Sequence, residues 1–291
     1  MTKKLHPSPL QTAQKFGIIK RKISEERDKI MAGIQELMEK SAFICDMDGV
    51  IYHGNRIIPH VTEFVHWLTE AGKRFLFLTN SSERSPRELS QKLSRMGLDV
   101  AEDHFYTSAL ATASFLASQC PGGSVYVIGE PGLVNALYDA GFSMNDINPD
   151  YVVLGETRSI SYEKIERAVK LVEKGAKLIG TNPDLTGPSE IGIVPATRAL
   201  IAPIELTTGK SAYFVGKPNP LMMRHALKKL DCHRVEAAII GDRMDTDVIA
   251  GIESELDTVL VLSGVSSPET VNSFPYRPKY ILRDVGEIIG L

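Results

Sequence analysis

From Ala42 onward, short apolar runs alternate with longer amphipathic stretches. The runs are Phe43-Ile44-Cys45, Phe75-Leu76-Phe77-Leu78, Val125-Tyr126-Val127-Ile128, Tyr151-Val152-Val153-Leu154, Lys177-Leu178-Ile179-Gly180, Ala237-Ala238-Ile239-Ile240 and Thr258-Val259-Leu260-Val261-Leu262. Most are apolar at successive positions, which suits strands covered on both faces. Between them lie helical patterns, such as Pro86 to Met96 and Ser161 to Lys174. Strands alternating with helices predict β-α-β units and parallel sheets, so the chain reads as an α/β protein. No repeat of fixed period interrupts this order.

Residues 1–40 read differently. Ile19, Ile23, Ile30, Ile34 and Leu37 recur at steps of 4, 7, 4 and 3 among charged neighbours. That is helical spacing, and it predicts an N-terminal helical extension packed on the main body. A dimer-forming helix is the sharper alternative. Five positions, with Arg27 breaking the stripe, are too few for a coiled coil. Met31 offers an alternative start.

Composition narrows the class. The chain has 291 residues, 43% of them hydrophobic, and a formal net charge of −3. It can bury a sizeable core, and a disordered chain is excluded. The slightly acidic balance gives no footprint for nucleic acid. Cys45, Cys120 and Cys232 are far apart and fit neither a disulfide framework nor a zinc site. They suit a reducing, cytoplasmic setting. No apolar stretch approaches the roughly 18 residues of a membrane-spanning helix, and no signal-like run opens the chain.

The polar residues of interest close the apolar runs. In open α/β sheets, ligands bind beyond the carboxyl ends of the strands. Asp46-Met47-Asp48-Gly49 follows the first run. A carboxylate at a strand end is rigidly held, and a second one two residues later can serve a different role. One can attack phosphorus while the other exchanges a proton with the leaving oxygen. A calcium loop is the bland alternative, but its glycine belongs at the sixth position rather than the fourth. Thr79 and Asn80 follow the second run and offer a hydroxyl and an amide. A helix cap is the alternative there, although Ser82 or Ser85 can do that work. Lys217, in Gly216-Lys217-Pro218-Asn219-Pro220, can hold a phosphate and offset a carboxylate, with Pro218 placed in the first helical turn. Asp242, in Gly241-Asp242-Arg243-Met244-Asp245-Thr246-Asp247, gives a second strand-end carboxylate. With Asp46 it suits a hard divalent cation such as Mg²⁺. Asp247 is expected to orient Asp242 or Lys217 from outside the ligand set. The alternative is an acidic loop capping the next helix through Asp245 or Thr246.

Nucleophile carboxylate, hydroxyl, lysine and acidic loop thus lie in order, separated by 33, 138 and 25 residues. In that order the chain resembles the haloacid dehalogenase-like hydrolase superfamily, from about Ala42 to the C-terminus. Finer matches resemble its NagD-like subfamily of nucleotide and p-nitrophenyl phosphatases. They are Cys45 to Val50, Phe105-Tyr106-Thr107-Ser108-Ala109, Gly155-Glu156-Thr157-Arg158, Thr181-Asn182-Pro183-Asp184, Phe214 to Pro218 and Leu262-Ser263-Gly264-Val265-Ser266. Two features depart from it. Compact members lack the stretch before Ala42, and Arg243-Met244-Asp245 is closer to eukaryotic-type phosphoglycolate and pyridoxal phosphatases.

The resemblance implies a doubly wound, Rossmann-like core (41–120 and 211–291) with a smaller α/β cap (121–210) inserted in the long gap. It implies that Asp46 forms an aspartyl phosphate and that Asp48 acts as general acid and base. Mg²⁺ would be held by Asp46, Asp242 and the backbone carbonyl of Asp48. Thr79, Asn80 and Lys217 would bind the phosphoryl oxygens. Asn182 and Asp184, in the cap loop Thr181-Asn182-Pro183-Asp184, are the expected leaving-group contacts, with a structural Asn-Pro turn as the alternative, and Arg243 is a further expected substrate-binding residue. The expected substrate is a small phosphate monoester. A 5′-nucleotide such as UMP comes first, then phosphoglycolate, glycerol phosphate or pyridoxal phosphate. A homo-oligomer would form through the cap or the N-terminal helix. A phospho-accepting signalling domain lacks the second aspartate and is too short for the 138-residue gap. A non-catalytic phosphate-binding module would not need Asp46, Asp48, Lys217 and Asp242 together.

Overall fold

The computed structural model describes residues 32–189 and 192–291. The expected positions Ile19, Ile23, Arg27, Ile30 and Met31 lie outside the described residues. The described part of the extension is helix α1 (residues 32–39). It buries Leu37 and ties down through Glu36, which accepts from Lys279 Nζ at 2.6 Å and Tyr280 Oη at 3.0 Å. Beside it Lys40 pairs with Asp257 at 2.7 Å.

The first segment then runs β1 (Ala42–Asp46), a hairpin of β2 (Tyr52–His53) and β3 (Arg56–Ile57), α2 (Val61–Glu70), β4 (Arg74–Thr79), α3 (Pro86–Arg95), β5 (Phe105–Thr107) and α4 (Ser108–Gln119). The middle segment is β6 (Ser124–Ile128), α5 (Pro131–Asp139), β7 (Ser143–Met144), β8 (Tyr151–Leu154), α6 (Tyr162–Glu173), β9 (Lys177–Gly180), a hairpin of β10 (Thr186–Ser189) and β11 (Gly192–Pro195), α7 (Thr197–Thr208) and β12 (Tyr213–Phe214). The last is α8 (Pro220–Lys229), β13 (Ala237–Gly241), α9 (Ile249–Glu253), β14 (Asp257–Val261), α10 (Pro268–Asn272) and β15 (Tyr280–Leu282).

Two parallel sheets result. The larger has the order β15-β14-β13-β1-β4-β5, so β1 lies between strands that arrive from opposite directions along the chain. The smaller has the order β12-β9-β8-β6-β7. It continues to Phe214, beyond the expected edge at Lys210, because Tyr213 and Phe214 pair with Ile179 and Gly180.

Burial explains the apolar runs. In β1, Phe43 and Cys45 face a core with α2, α3 and Leu37, while Ala42 and Ile44 face one with α4, α8 and α9. Strands enclosed in this way have no solvent face to carry polar residues. The second cluster does not stop at the larger sheet. It continues through Leu133 and Leu137 of α5 to Val125, Val153 and Ile179 of the smaller sheet. The other face of that sheet packs Val152, Leu154 and Leu178 against α6 and α7.

Local signals set helix ends. Ser85 starts α3 with a reciprocal cap: its hydroxyl accepts from Glu88 N–H while its own N–H donates to Glu88. Ser161 caps α6 in the same position relative to the expected start. At Lys217 the expectation of a helical Pro218 fails. The helix begins at Pro220, with Asn219 as its cap, and the Lys217–Pro218 bond is cis.

Phe43 is fully buried, edge-on to Trp67 (5.6 Å between ring centroids) and Phe64 (6.2 Å). Phe43→Ala should cost about 3–5 kcal/mol through lost transfer energy and a residual cavity. The check is the urea midpoint at unchanged slope.

Candidate active site

Strand register brings the expected residues to one edge. Asp46 is opposite Leu78, which puts Thr79 one step beyond on the neighbouring strand. On the other side Cys45 is opposite Ile240, so Asp242 follows just past the edge. Lys217 comes over this edge from the segment after β12. Its Nζ lies 2.5 Å from Asp46 Oδ1 and 2.6 Å from Asp247 Oδ1, and the side chain is 2% exposed.

Asp46, Asp242 and Asp247 each present an oxygen within 4.8 Å of the others. One ammonium cannot neutralise three carboxylates. Burial pushes the Asp46 carboxyl well up; Lys217 opposes this, and Asp247 and Asp242 reinforce it. Burial, then Asp247, pushes Asp242 up to about 6. The same two carboxylates, Asp247 and Asp46, hold the Lys217 ammonium above its usual range despite burial. Asp242 Oδ1 is buried without a hydrogen-bond partner among the described residues. Excess negative charge and an orphaned carboxylate oxygen fit a divalent cation. Asp247, expected outside the ligand set, lies in the cluster and also braces Lys217.

The loops around the cluster fix its carboxylates. Val265 N–H donates to Asp242 Oδ2 at 2.8 Å, and Ser263 Oγ donates to Gly49 O at 2.8 Å. Gly49 has φ +83°, and a Cβ there would stand 2.3 Å from Asp242 Oδ2; one at Gly264 would stand 1.9 Å from it. Only glycine fits those two places. Asp48 adds no carboxylate to the cluster. Its Oδ2 accepts from Tyr52 Oη at 3.2 Å. Burial pushes its pKa up, against the pull of Lys92.

The turn that follows β4 shows which groups are free. Thr79 Oγ accepts from Ser81 N–H at 3.1 Å, which leaves its proton to donate. The Asn80 amide is engaged throughout: Oδ1 accepts from Lys217 N–H, and Nδ2 donates to Lys217 O and to Asp184 Oδ2. It therefore braces the lysine segment. Asn182 is fully buried. Its Nδ2 donates to Asn80 O and Glu156 Oε1, and its Oδ1 accepts from Asp184 N–H. Its amide is thus engaged by three groups of the chain itself. Asp184 reaches the same turn and is raised by burial, with Asn80 and Arg243 opposing. Arg243 forks onto Asp245 at 3.0 and 2.8 Å. The capping alternative for Asp245 and Thr246 is not seen, since the wide turn Met244–Val248 starts at Arg243 without a side-chain cap.

Tyr52 and Glu156 carried no signal by spacing. Glu156 lies in the matched segment Gly155-Glu156-Thr157-Arg158, but its use, like that of Tyr52 four residues from Asp48, shows only in its contacts.

A carboxylate at the end of β1, a buried lysine and a cation-ready acidic cluster at a switch point of a parallel sheet define a phosphoryl-transfer hydrolase. A family model described as haloacid dehalogenase-like hydrolase matches residues 43–143, and one described as HAD-hydrolase-like matches 214–288. Dihydroxyacetone phosphatase of Corynebacterium glutamicum is 46% identical over 85% of this chain and 90% of its own. Ribonucleotide monophosphatase NagD of Escherichia coli is 44% identical over 84% of this chain and 96% of its own. The solved structure of NagD from E. coli K-12 superposes with a TM-score of 0.81 at 42% identity, covering 85% of this chain and 98% of that one. A 4-nitrophenylphosphatase from Thermotoga maritima gives 0.85 at 33% identity, over 88% and 98%. The chain belongs to the haloacid dehalogenase-like hydrolases, within their NagD-like subfamily, and is a phosphoric monoester hydrolase.

Two measurements test the electrostatics. Lys217→Met leaves buried Asp46 and Asp247 without their counter-charge, so stability should fall by about 3–5 kcal/mol in metal-free buffer, read from urea unfolding. Second, Asp242 holds its proton more tightly folded than unfolded, since its pKa rises from 3.8 to about 6. Metal-free protein should therefore lose stability as pH rises between those values. Added Mg²⁺ should restore it, with the gap between the two melting curves widening up to the upper value and persisting above it.

Proposed function

We propose that the chain hydrolyses small phosphate monoesters by way of an aspartyl phosphate on Asp46, with Mg²⁺ as its cation. The observation that carries this is Lys217 Nζ between Asp46 and Asp247, beside Asp242. Lys217 fixes the Asp46 carboxylate for attack on phosphorus. As the ester bond breaks, Asp48 gives its proton to the leaving alkoxide. It then takes one from the water that releases phosphate, returning to its starting state. Tyr52 orients Asp48 through the bond to Oδ2. Thr79 donates its free proton to a phosphoryl oxygen, and Lys217 supplies positive charge. Bound Mg²⁺, held by Asp46, Asp242 and the carbonyl of Asp48 with Asp247 completing the cluster, would neutralise charge on carboxylates and phosphate. Such hydrolysis needs on the order of 20 kcal/mol of barrier reduction, so positioning and charge neutralisation act together.

The body built on the smaller sheet serves as the cap, shielding the phosphoryl centre from water and selecting the leaving group. A 5′-ribonucleotide of the UMP type is the favoured substrate, supported by the likeness to the ribonucleotide monophosphatase. Dihydroxyacetone phosphate is the second reading, supported by the likeness at 46% identity. The three unpaired cysteines suit action in the cytoplasm. Among the described residues no helix is long and apolar enough to cross a membrane.

p-Nitrophenyl phosphate turnover should require Mg²⁺ and disappear on chelation. Asp46→Asn should abolish it, and Asp48→Asn should lower kcat by about 100-fold or more. Parental turnover by Asp46→Asn would remove the covalent mechanism. A panel of UMP, dihydroxyacetone phosphate, phosphoglycolate, glycerol phosphate and pyridoxal phosphate, compared by kcat/KM, decides the substrate.

A further inference from the structure

We propose that Glu156 is a positioning residue: from the end of β8 it holds the phosphate-side turn Thr79–Ser82 in register with the rest of the site. The proposal rests on reading that turn as the phosphoryl end.

Glu156 touches none of the reacting groups named above. Its Oε2 accepts from Ser82 N–H at 3.0 Å and from Ser82 Oγ at 2.7 Å, and its Oε1 accepts from Asn182 Nδ2 at 2.7 Å. The remaining Asn182 proton goes to Asn80 O at 2.7 Å, where Ser108 Oγ also donates. One carboxylate from the smaller sheet thus grips the turn at Ser82 directly and at Asn80 through Asn182. No lysine or arginine is hydrogen-bonded to it among the described residues, so the contact is one acceptor serving donors from two bodies.

The packing is built for this contact. A Cβ at Gly155 would stand 2.4 Å from Ser82 Oγ. One at Gly132 would stand 2.7 Å from the Glu83 and Arg84 backbone, and Gly132 N–H donates to Glu83 O at 3.1 Å. One at Gly216 would stand 2.7 Å from Asn80 Oδ1 and Thr181 O. Three separate segments therefore close on residues 80–84 at distances a side chain forbids. Thr79 meets the turn through the Ser81 N–H that its hydroxyl accepts. A shift at Ser82 would pass through one peptide to that hydroxyl, and small displacements at a phosphoryl site are costly.

Glu156→Gln keeps the shape but turns an amide N–H₂ toward one donor set, where it cannot accept. The variant should melt within a few degrees of the parent. Its kcat should fall about tenfold or more, by the same factor for p-nitrophenyl phosphate, UMP and dihydroxyacetone phosphate, because the turn faces the phosphoryl group that all three share. Inhibition by inorganic phosphate should weaken as well. Ser82→Ala should give the same pattern, smaller, and the double variant should be no worse than Glu156→Gln alone. A folded Glu156→Gln with parental kcat and phosphate inhibition would overturn the proposal. So would a loss that differs among leaving groups, which would make Glu156 a substrate reader. If Glu156→Gln does not fold, Ser82→Ala decides by the same two readouts. Asp46→Asn serves as the control. If it is inactive while Glu156→Gln is parental, only the positioning role fails; if it is active, the underlying site reading fails.

Discussion

The Lys217 ammonium between Asp46 and Asp247 is the contact on which the rest of the site depends. Bare, these carboxylates would repel one another and the anionic phosphate they are to meet. One lysine lowers that repulsion without removing it, which leaves the edge of the sheet receptive to a divalent cation. The lysine comes from the segment that closes the smaller sheet, and both aspartates belong to the larger body. Lys217 stands between β12 of the smaller sheet and α8, whose Met222 and Met223 pack on the larger one, so the contact lies where the two bodies meet.

That assembly is apolar before it is polar. A single cluster continues from Ile44 and Leu78 on the larger sheet, through α5, to Val153 and Ile179 on the smaller one. Burial of this kind is strong but non-directional. Direction comes from the polar joint above it, where Ser82, Glu156, Thr181 and Asn182 meet. Buried donors and acceptors left unpaired are expensive, so such a joint admits few alternative arrangements. A rigid joint is compatible with the water exclusion that phosphoryl transfer needs.

The rigidity extends to the acidic side. Val265 N–H and the close backbone of Gly49 and Gly264 leave Asp242 one place to stand, with one oxygen bonded and the other without a protein partner. An arrangement that fixes a ligand and leaves its donor atom unsatisfied is what a preorganised cation site requires.

Much of this was legible along the chain. Every apolar run named at the outset is a strand, because burial on both faces demands apolar residues at successive positions. The order of aspartate, threonine, lysine and acidic loop survived as geometry, because parallel strands deliver their carboxyl ends to one edge. The use of each polar side chain could not be read in this way. Asn80 and Asn182 look like ligand contacts in isolation, yet their amides are spent on Lys217, 137 residues away, and on the Asn80 carbonyl, 102 residues away. Asp247 is expected beside Asp242 or Lys217; folding sets it against Lys217 and also within the carboxylate cluster. The sequence by itself determined which chemistry the chain carries and at which strand ends. Only the tertiary structure decided which atoms remain free to perform it, because hydrogen-bond partners are assigned by proximity in space, and periodicity carries no record of that.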